Sequence, residues 1–543
     1  MGRRDGVSSG SRGDADQCLW RGLFSSIRDF GFLLWVYIRP VFLSEGDQLE
    51  TDFVLFAGNA DVLFHGGRCD PVPVLEHVHA SAAGCRRDYP GAGVVVFGKL
   101  SGALCGDLFC QRLFAAACQS IFKVRNMKEG QSGFRAIARP RLESIRMLLD
   151  FLGTPEKALN YIHVAGTNGK GSVCAFLQGM FTDAGYKTGK YTSPHLMRVN
   201  ERITVDGCEI GDGALRDVMA QVQSAAGRVK QALGETPTQF EIWTAAALCY
   251  FKACGCDIVI METGLGGAWD ATNVIPPPKA AVITRIAADH AEYLGDTLSE
   301  IAAAKAGIIK KNGTAGYTVT LRQEDEVMPV LEQACNRCEN RLVLVKQPVL
   351  RGFCGLYERF DYDGMEQLEL GLAGLHQVEN AVLAIETARI CGISEQSIRK
   401  GLKQAKNPAR LERLSACPPV IFDGAHNRNG MRALAKNLDR YYPGVERTFI
   451  MGCMRDKDVA GMLEELAGGP VKYLLAVKVP GSPRAMEAER LAELARKAGI
   501  RAQAFPDAAG VYRAALEDDG VVVLCGSLYL YEAFWNIIKK RCD

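Results

Sequence analysis

The sequence predicts an α/β protein: a wound-sheet domain holding a glycine-rich turn, followed by a smaller Rossmann-like α/β domain. Three observations carry this. From about residue 127, short apolar runs alternate with amphipathic helical stretches in the order of a parallel wound sheet. A glycine-rich segment, Gly166-Thr167-Asn168-Gly169-Lys170-Gly171-Ser172, lies between an apolar strand and a helix. A second series of alternating strands and helices starts near Pro419.

In chain order, Tyr161 to Ala165 reads as a buried strand, and the helix after the glycine-rich turn runs from about Ser172 to Asp183. Ile258 to Met261 and Ala280 to Ile286 are further strands, and an alanine-rich helix spans about Thr297 to Ile309. The second series has strands at Val420 to Phe422, Thr448 to Met451, Val471 to Val477 and Val521 to Cys525, with a helix from about Asn429 to Leu438. Lys406 to Arg410, with its Asn-Pro step, reads as the linker. The domains are therefore 127–408 and 409–543. Residues 1–126 form a poorly defined extension without sustained periodicity, expected to be an over-called start or a disordered segment.

Composition narrows the classes. The 543 residues are too many for one core, at about 150 per domain. Lys plus Arg (64) nearly balance Asp plus Glu (62), so no global field attracts nucleic acid or an anionic membrane. No apolar run reaches the roughly 18 residues that span a bilayer. The 19 cysteines have no repeated spacing, and the single Cys335-x-x-Cys338 has no second pair to complete a zinc site. They read as reduced thiols of a cytoplasmic protein.

The glycine-rich turn carries the strongest chemical signal. Its glycines let backbone N–H groups curl inward at a helix N-terminus, which favours an anion, and Lys170 can reach terminal phosphate oxygens. The common P-loop has Ser or Thr directly after Lys; here Gly171 intervenes before Ser172. Glu262 ends a buried strand, where a wound sheet presents groups to a ligand crevice, and is a candidate for Mg²⁺. Asp289-His290 follows another strand, and Lys305 lies within the alanine-rich helix. Asp423-Gly424-Ala425-His426-Asn427 ends a strand of the second domain, its polar groups facing a cleft and Asn427 placed to cap the next helix.

Together these stretches resemble the folylpolyglutamate synthase and dihydrofolate synthase family, relatives of the Mur ligases. The resemblance rests on YIHVAGTNGKGS (161–172), YTSPHLMRVNERITVDG (191–207), METGLGGAWDATNVI (261–275) and ITRIAADHAEYLGDTLSEIAAAKAGIIK (283–310). It continues in LAGLHQVENA (372–381), FDGAHN (422–427), DKD (456–458), SPRA (482–485) and GSLYL (526–530), in register from about Pro140 to the C-terminus.

What the resemblance implies is a P-loop-containing domain like the Mur ligase central domain, joined to a glutamate-ligase domain. The implied activity is ATP-dependent addition of L-glutamate to tetrahydrofolate, or to dihydropteroate, through an acyl phosphate. By resemblance, Gly166, Thr167, Asn168, Gly169, Lys170, Gly171 and Ser172 bind the nucleotide phosphates, with Asn380, Arg410, Asp423 and His426 as further ATP contacts. Ser193, Glu262, His290 and Lys305 match the family's two Mg²⁺ positions, Lys305 as a carbamylated lysine. Lys170, Lys305 and His426 are the implied catalytic residues. Asp270, His195, Arg202 and Ser527 lie on the folate or glutamate side.

The chain departs from the family pattern at Ala268 (commonly Arg or Lys), Ala304 (Glu), Pro408-Ala409-Arg410 (Pro-Gly-Arg) and Pro140-Arg141-Leu142-Glu143 (Pro-Gly-Leu-Glu). The competing readings are a Mur-type ligase acting on a UDP-muramoyl substrate and an inactive ATP-binding homologue. The expected partners are small molecules only, with no nucleic acid and no membrane, and the protein is expected to be a monomer.

Overall fold

The computed structural model describes residues 32–40, 50–59, 96–101 and 142–543, apart from 314–315, 518 and 543. The chain divides into two compact units, Met1–Met127 and Lys128–Asp543. In the first, β1 (Phe32–Pro40), β2 (Glu50–Asn59) and β3 (Val96–Ser101) pair in antiparallel order β1-β2-β3. The sequence reading found no strand there. FLLWVYIRP is apolar without alternation, so periodicity is silent although its aromatic and β-branched content suits a strand. Most of the extension lies outside the described residues.

The second unit contains two lobes. The first opens with α1 (Glu143–Phe151), β4 (Tyr161–Ala165), α2 (Lys170–Asp183), β5 (Thr188–Tyr191), β6 (Ile203–Val205), β7 (Cys208–Glu209), α3 (Asp212–Leu233) and α4 (Gln239–Cys254). It continues through β8 (Ile258–Glu262), β9 (Ala280–Ile283), α5 (Ala291–Leu294), α6 (Leu298–Ala306), β10 (Gly316–Thr320), α7 (Met328–Arg337) and β11 (Asn340–Leu344). These strands form one eight-stranded sheet, order β11-β10-β9-β4-β8-β5-β6-β7, parallel from β11 to β5 with an antiparallel edge. Every residue of β4 and β8 is buried, as expected of central parallel strands covered on both faces.

The helix α2 starts two residues earlier than expected, at Lys170, capped by Gly169 at φ +91°. It is apolar all round because α8 (His376–Ile390) and α9 (Glu395–Gln404) cover the side the sheet does not. Phe176, Leu177, Met180 and Phe181 are buried, each worth about 1.5–3 kcal/mol on the area scale. Backbones meet directly where α2 crosses α9. A Cβ on Gly179 would lie 2.8 Å from the Gly401 carbonyl oxygen, and one on Gly401 would lie 2.4 Å from Met180 N.

The second lobe follows the linker with β15 (Glu412–Ala416), β16 (Pro419–Phe422), α10 (Arg428–Tyr441), β17 (Arg447–Met451) and α11 (Val459–Ala467). Then come β18 (Val471–Val477), α12 (Ala488–Lys497), β19 (Ala502–Phe505), α13 (Ala508–Ala515), β20 (Val521–Cys525) and α14 (Tyr531–Cys542). Its six-stranded sheet has order β15-β16-β20-β17-β18-β19, parallel except at β15.

A small antiparallel sheet, β12 (Val349–Cys354), β13 (Tyr357–Tyr362) and β14 (Met365–Glu369), joins the two lobes. Phe360, Tyr362 and Leu368 enter the first lobe's core, while Leu356 enters the second lobe's. Glu358, fully buried, takes Arg440 Nε and Nη2 at 2.6 and 2.8 Å and the Tyr441 hydroxyl at 2.5 Å. Among the described residues no helix is long and apolar enough to cross a membrane.

Candidate active site

The site is built on the carboxyl ends of parallel strands, where a wound sheet leaves polar turns uncovered. β4 leads into the 166–172 turn, β8 ends in Glu262, and β9 leads to Asp289-His290. In the second lobe β16 leads to Asp423 and β20 to Ser527. The two sets of turns meet. Asn168 and Asn427 exchange amide hydrogen bonds at 3.2 Å each way, and Asn168 Nδ2 also donates to Asn429 Oδ1 at 2.8 Å. Asn427 caps α10 as expected, accepting from Gly430 N at 2.8 Å. The same amide thus ends a helix and spans the lobes.

The glycine-rich turn is moulded by its neighbours. Gly166 has φ +150°, and a Cβ there would lie 1.8 Å from Thr284 Oγ1; a Cβ on Gly169 would lie 2.2 Å from Asn380 Oδ1. Asn380, held by Gln377 Oε1 at 2.9 Å, therefore supports the turn from beneath. Thr167 N–H donates to the Arg285 carbonyl at 2.9 Å, and its hydroxyl donates to the Ala287 carbonyl at 2.9 Å. Lys170 Nζ folds back onto the carbonyls of Gly166 (3.1 Å) and Thr167 (3.3 Å). Ser172 Oγ accepts from Asn407 Nδ2 at 3.2 Å, so the linker touches the start of α2 close to Gly171.

Glu262 is buried and accepts from Ser193 N at 3.2 Å, bringing together two of the expected cation ligands. Burial pushes its carboxyl above the usual range, while Lys170, the Ser193 hydrogen bond, Arg410 and Lys190 pull it back. Lys305 Nζ donates to the Gly166 carbonyl at 2.8 Å. Burial first, and then Lys170, lower its pKa to about 7, leaving a large neutral fraction at neutral pH.

His290 sits at φ +55°, and burial lowers its imidazole to about 4. Its Nε2 is 3.4 Å from Lys457 Nζ. Burial would raise the adjacent Asp289, but the surrounding His290, Lys457 and His426 outweigh it and hold the carboxyl well below its ordinary value. With His290 neutral at pH 7, Lys457 is the paired cation, at 2.7 Å with both side chains at least nine-tenths buried.

Other expected residues are engaged within the protein. Both Asp270 oxygens serve the 265–272 loop, accepting from Leu265 N (2.8 Å), Thr272 N (2.9 Å) and Thr272 Oγ1 (2.5 Å). Asp270 thereby shapes this loop, and the open surface beside it belongs to Trp269, half exposed in a groove with Glu143, Arg146 and Asp150 of α1. Arg202, buried, donates from Nε to His195 Nδ1 at 3.0 Å. Asp423 accepts from Leu411 N and Ala425 N, both at 2.8 Å. Arg410 lies over Gly424, whose Cβ would be 2.3 Å from its Nη1. His426 Nδ1 is 2.8 Å from the Gly424 carbonyl, and its Nε2 is 3.9 Å from Asp289 Oδ2. Ser527 Oγ accepts from Tyr529 N at 3.3 Å.

Sequence reasoning passed over Thr284, Asn407 and Lys457, and took Asp289 only as the neighbour of His290. The last two did carry a signal: each is a charged residue inside a quoted motif, at a strand end or in the turn after one. Cys335 is buried on α7, and Cys338, just beyond it, donates to the Ile309 carbonyl at 3.2 Å; both are free thiols.

Two family descriptions match the chain: the Mur ligase middle domain over residues 164–388, and the Mur ligase glutamate ligase domain over 409–528. The chain is 33% identical to the dihydrofolate synthase/folylpolyglutamate synthase of Bacillus subtilis over 418 residues, covering 74% of this chain and 95% of that one. It is 36% identical to the folylpolyglutamate synthase of Lacticaseibacillus casei over 404 residues, covering 72% and 92%. The structure of Mycobacterium tuberculosis folylpolyglutamate synthase complexed with ADP and AMPPCP superposes with a TM-score of 0.71 at 30% identity, covering 77% of this chain and 98% of that one.

Proposed function

Since the chain belongs to the folylpolyglutamate synthase and dihydrofolate synthase family, we propose that it joins L-glutamate to the carboxylate of a folate. The acceptor is tetrahydrofolate, dihydropteroate or both, and the driving reaction is ATP cleavage. The observation that carries this reading is the meeting of the 166–172 turn with the 423–429 turn through Asn168, Asn427 and Asn429. One turn suits a triphosphate and the other closes over it.

A carboxylate has no leaving group at neutral pH. Transfer of the ATP γ-phosphoryl group makes an acyl phosphate; the glutamate amine attacks that carbonyl, and phosphate leaves from the tetrahedral adduct. The protein's work is positioning and charge neutralisation. Lys170 leaves its two carbonyls to meet the phosphates, where backbone N–H groups of residues 169–172 also point. Asn380 keeps the turn in shape. Asp423, Arg410 and His426 contact the nucleotide from the second lobe, Ser527 lies near the incoming glutamate, and the 193–202 segment with the Asp270 loop receives the folate.

The donor set suits Mg²⁺. Glu262 is a buried carboxylate beside Ser193, and among the described residues no three His, Cys, Asp or Glu gather to hold a metal alone. A magnesium ion would take those two residues and complete its shell with phosphate oxygens and water. A second would draw on His290 and a carbamylated Lys305. The ions would supply charge neutralisation for the phosphates. The neutral fraction of Lys305 favours carbamate formation, which ¹³C-bicarbonate labelling would detect as a carbamate carbon absent from Lys305→Met. We further propose a cytoplasmic monomer acting on small molecules; its near balance of charge offers no global field for nucleic acid or an anionic membrane.

The test is glutamate-dependent ADP release, with tetrahydrofolate, dihydropteroate and a UDP-muramoyl acceptor assayed in parallel. Release with either pterin compound supports the reading; release with the muramoyl acceptor alone overturns it.

A further inference from the structure

Asp289 is gripped from the opposite lobe. Its Oδ1 accepts from Lys457 Nζ at 2.7 Å and from the His290 backbone N–H at 3.0 Å; its Oδ2 accepts from Asn427 Nδ2 at 2.9 Å. The same Lys457 ammonium lies 3.4 Å from His290 Nε2. One carboxylate therefore ties two second-lobe side chains to the peptide N–H of a histidine held at φ +55°, a conformation most residues leave unless they are fixed there.

We propose that Lys457 is a positioning residue: by anchoring Asp289 from the second lobe, it sets the His290 imidazole, so that apposition of the lobes and assembly of the cation site are one event. This rests on the reading of His290 as a cation ligand. Groups that hold a ligand's neighbours fix its orientation and strongly affect metal affinity. An ion pair with both partners buried has no water to replace a missing member, so a neutral residue at 457 leaves the Asp289 charge without its cation, held only by the Asn427 amide and the His290 N–H. His290 is then free to relax from the left-handed region.

The experiment is a Mn²⁺ titration of the ADP-bound full chain followed by electron paramagnetic resonance, with small-angle scattering on the same samples. Neither readout needs folate or glutamate. Lys457→Met should weaken Mn²⁺ binding about tenfold or more and enlarge the particle. Asp289→Asn should do the same, and the double variant should be no worse than either. Lys457→Arg, which restores the cation, should recover most of the affinity. Should Lys457→Met fold poorly, Lys457→Arg and Asn427→Ser carry the same comparison in graded form. Wild-type Mn²⁺ affinity in Lys457→Met, or fully additive losses in the double variant, would overturn the proposal. Unchanged affinity in His290→Ala would instead strike the ligand reading on which it rests.

Discussion

Two of the seams at which the lobes touch differ in kind. At one, β13 sends Glu358 into a dry setting where Arg440 and Tyr441 hold both its oxygens, flanked by Leu356 in the second lobe's core. At the other, amides and an ion pair meet among strand-end turns: Asn168 with Asn427 and Asn429, Asp289 with Lys457. The first seam can come apart only by stranding a buried carboxylate. At the second, the amide contacts are exchangeable for water or a ligand at small net cost, and the buried Asp289–Lys457 pair is the part that resists opening. A molecule that must admit a nucleotide and then enclose it needs one joint that stays shut and one that parts.

That contrast can be broken in several ways. Lys170→Ala strikes the parting seam where charge develops, and should lower kcat on the order of 10³-fold while leaving the thermal midpoint nearly unchanged. Retained turnover within a few-fold would remove Lys170 from the chemistry. Glu358→Ala strikes the shut seam. It should cost about 3 kcal/mol in denaturant unfolding while the turnover of the folded fraction stays near wild type. A large loss of turnover at full stability would reverse the roles of the seams.

The next effect depends on pH. Lys305, at about 7, binds fewer protons in the folded chain than an ordinary lysine binds in the unfolded one. Its burial penalty is full below about pH 7 and is relieved as pH rises toward the ordinary lysine range. In carbonate-free buffer wild type should therefore gain stability relative to Lys305→Met over that window, at most about 1.4 kcal/mol per pH unit. A flat difference would mean that the amine titrates normally. Smallest of all, Arg198→Ala removes an exposed pair with Asp212 and should change stability by less than about 1 kcal/mol.

The parting seam was partly legible because its pieces are local. The turn 166–172, the strand ending in Glu262 and the Asp423 turn each announce themselves within a dozen residues, and Val471–Val477 and Val521–Cys525 match their predicted strands residue for residue. The pairings between them were not legible. Asn168 meets Asn427 across 259 positions and Asp289 meets Lys457 across 168, and nothing in either neighbourhood names the other. The shut seam was invisible for a different reason. β13 alternates correctly, but one of its inward positions is Glu358, a charge that reads as solvent-facing until Arg440 and Tyr441 are seen over it. The Asp270 carboxylate makes the same point in reverse, since both its oxygens accept hydrogen bonds from its own loop, which its sequence neighbourhood does not announce.

The bare crossing of Gly179 and Gly401 gives the molecule a rigid beam. With no side chain between them, α2 and α9 cannot slide or roll independently, and they travel as one bar. The turn built for the triphosphate and residues 405–411, which lead into the second lobe, lie at the same end of that bar, where Asn407 meets Ser172. The segment from which the second lobe starts is thus fastened directly to the seat of the reacting phosphate.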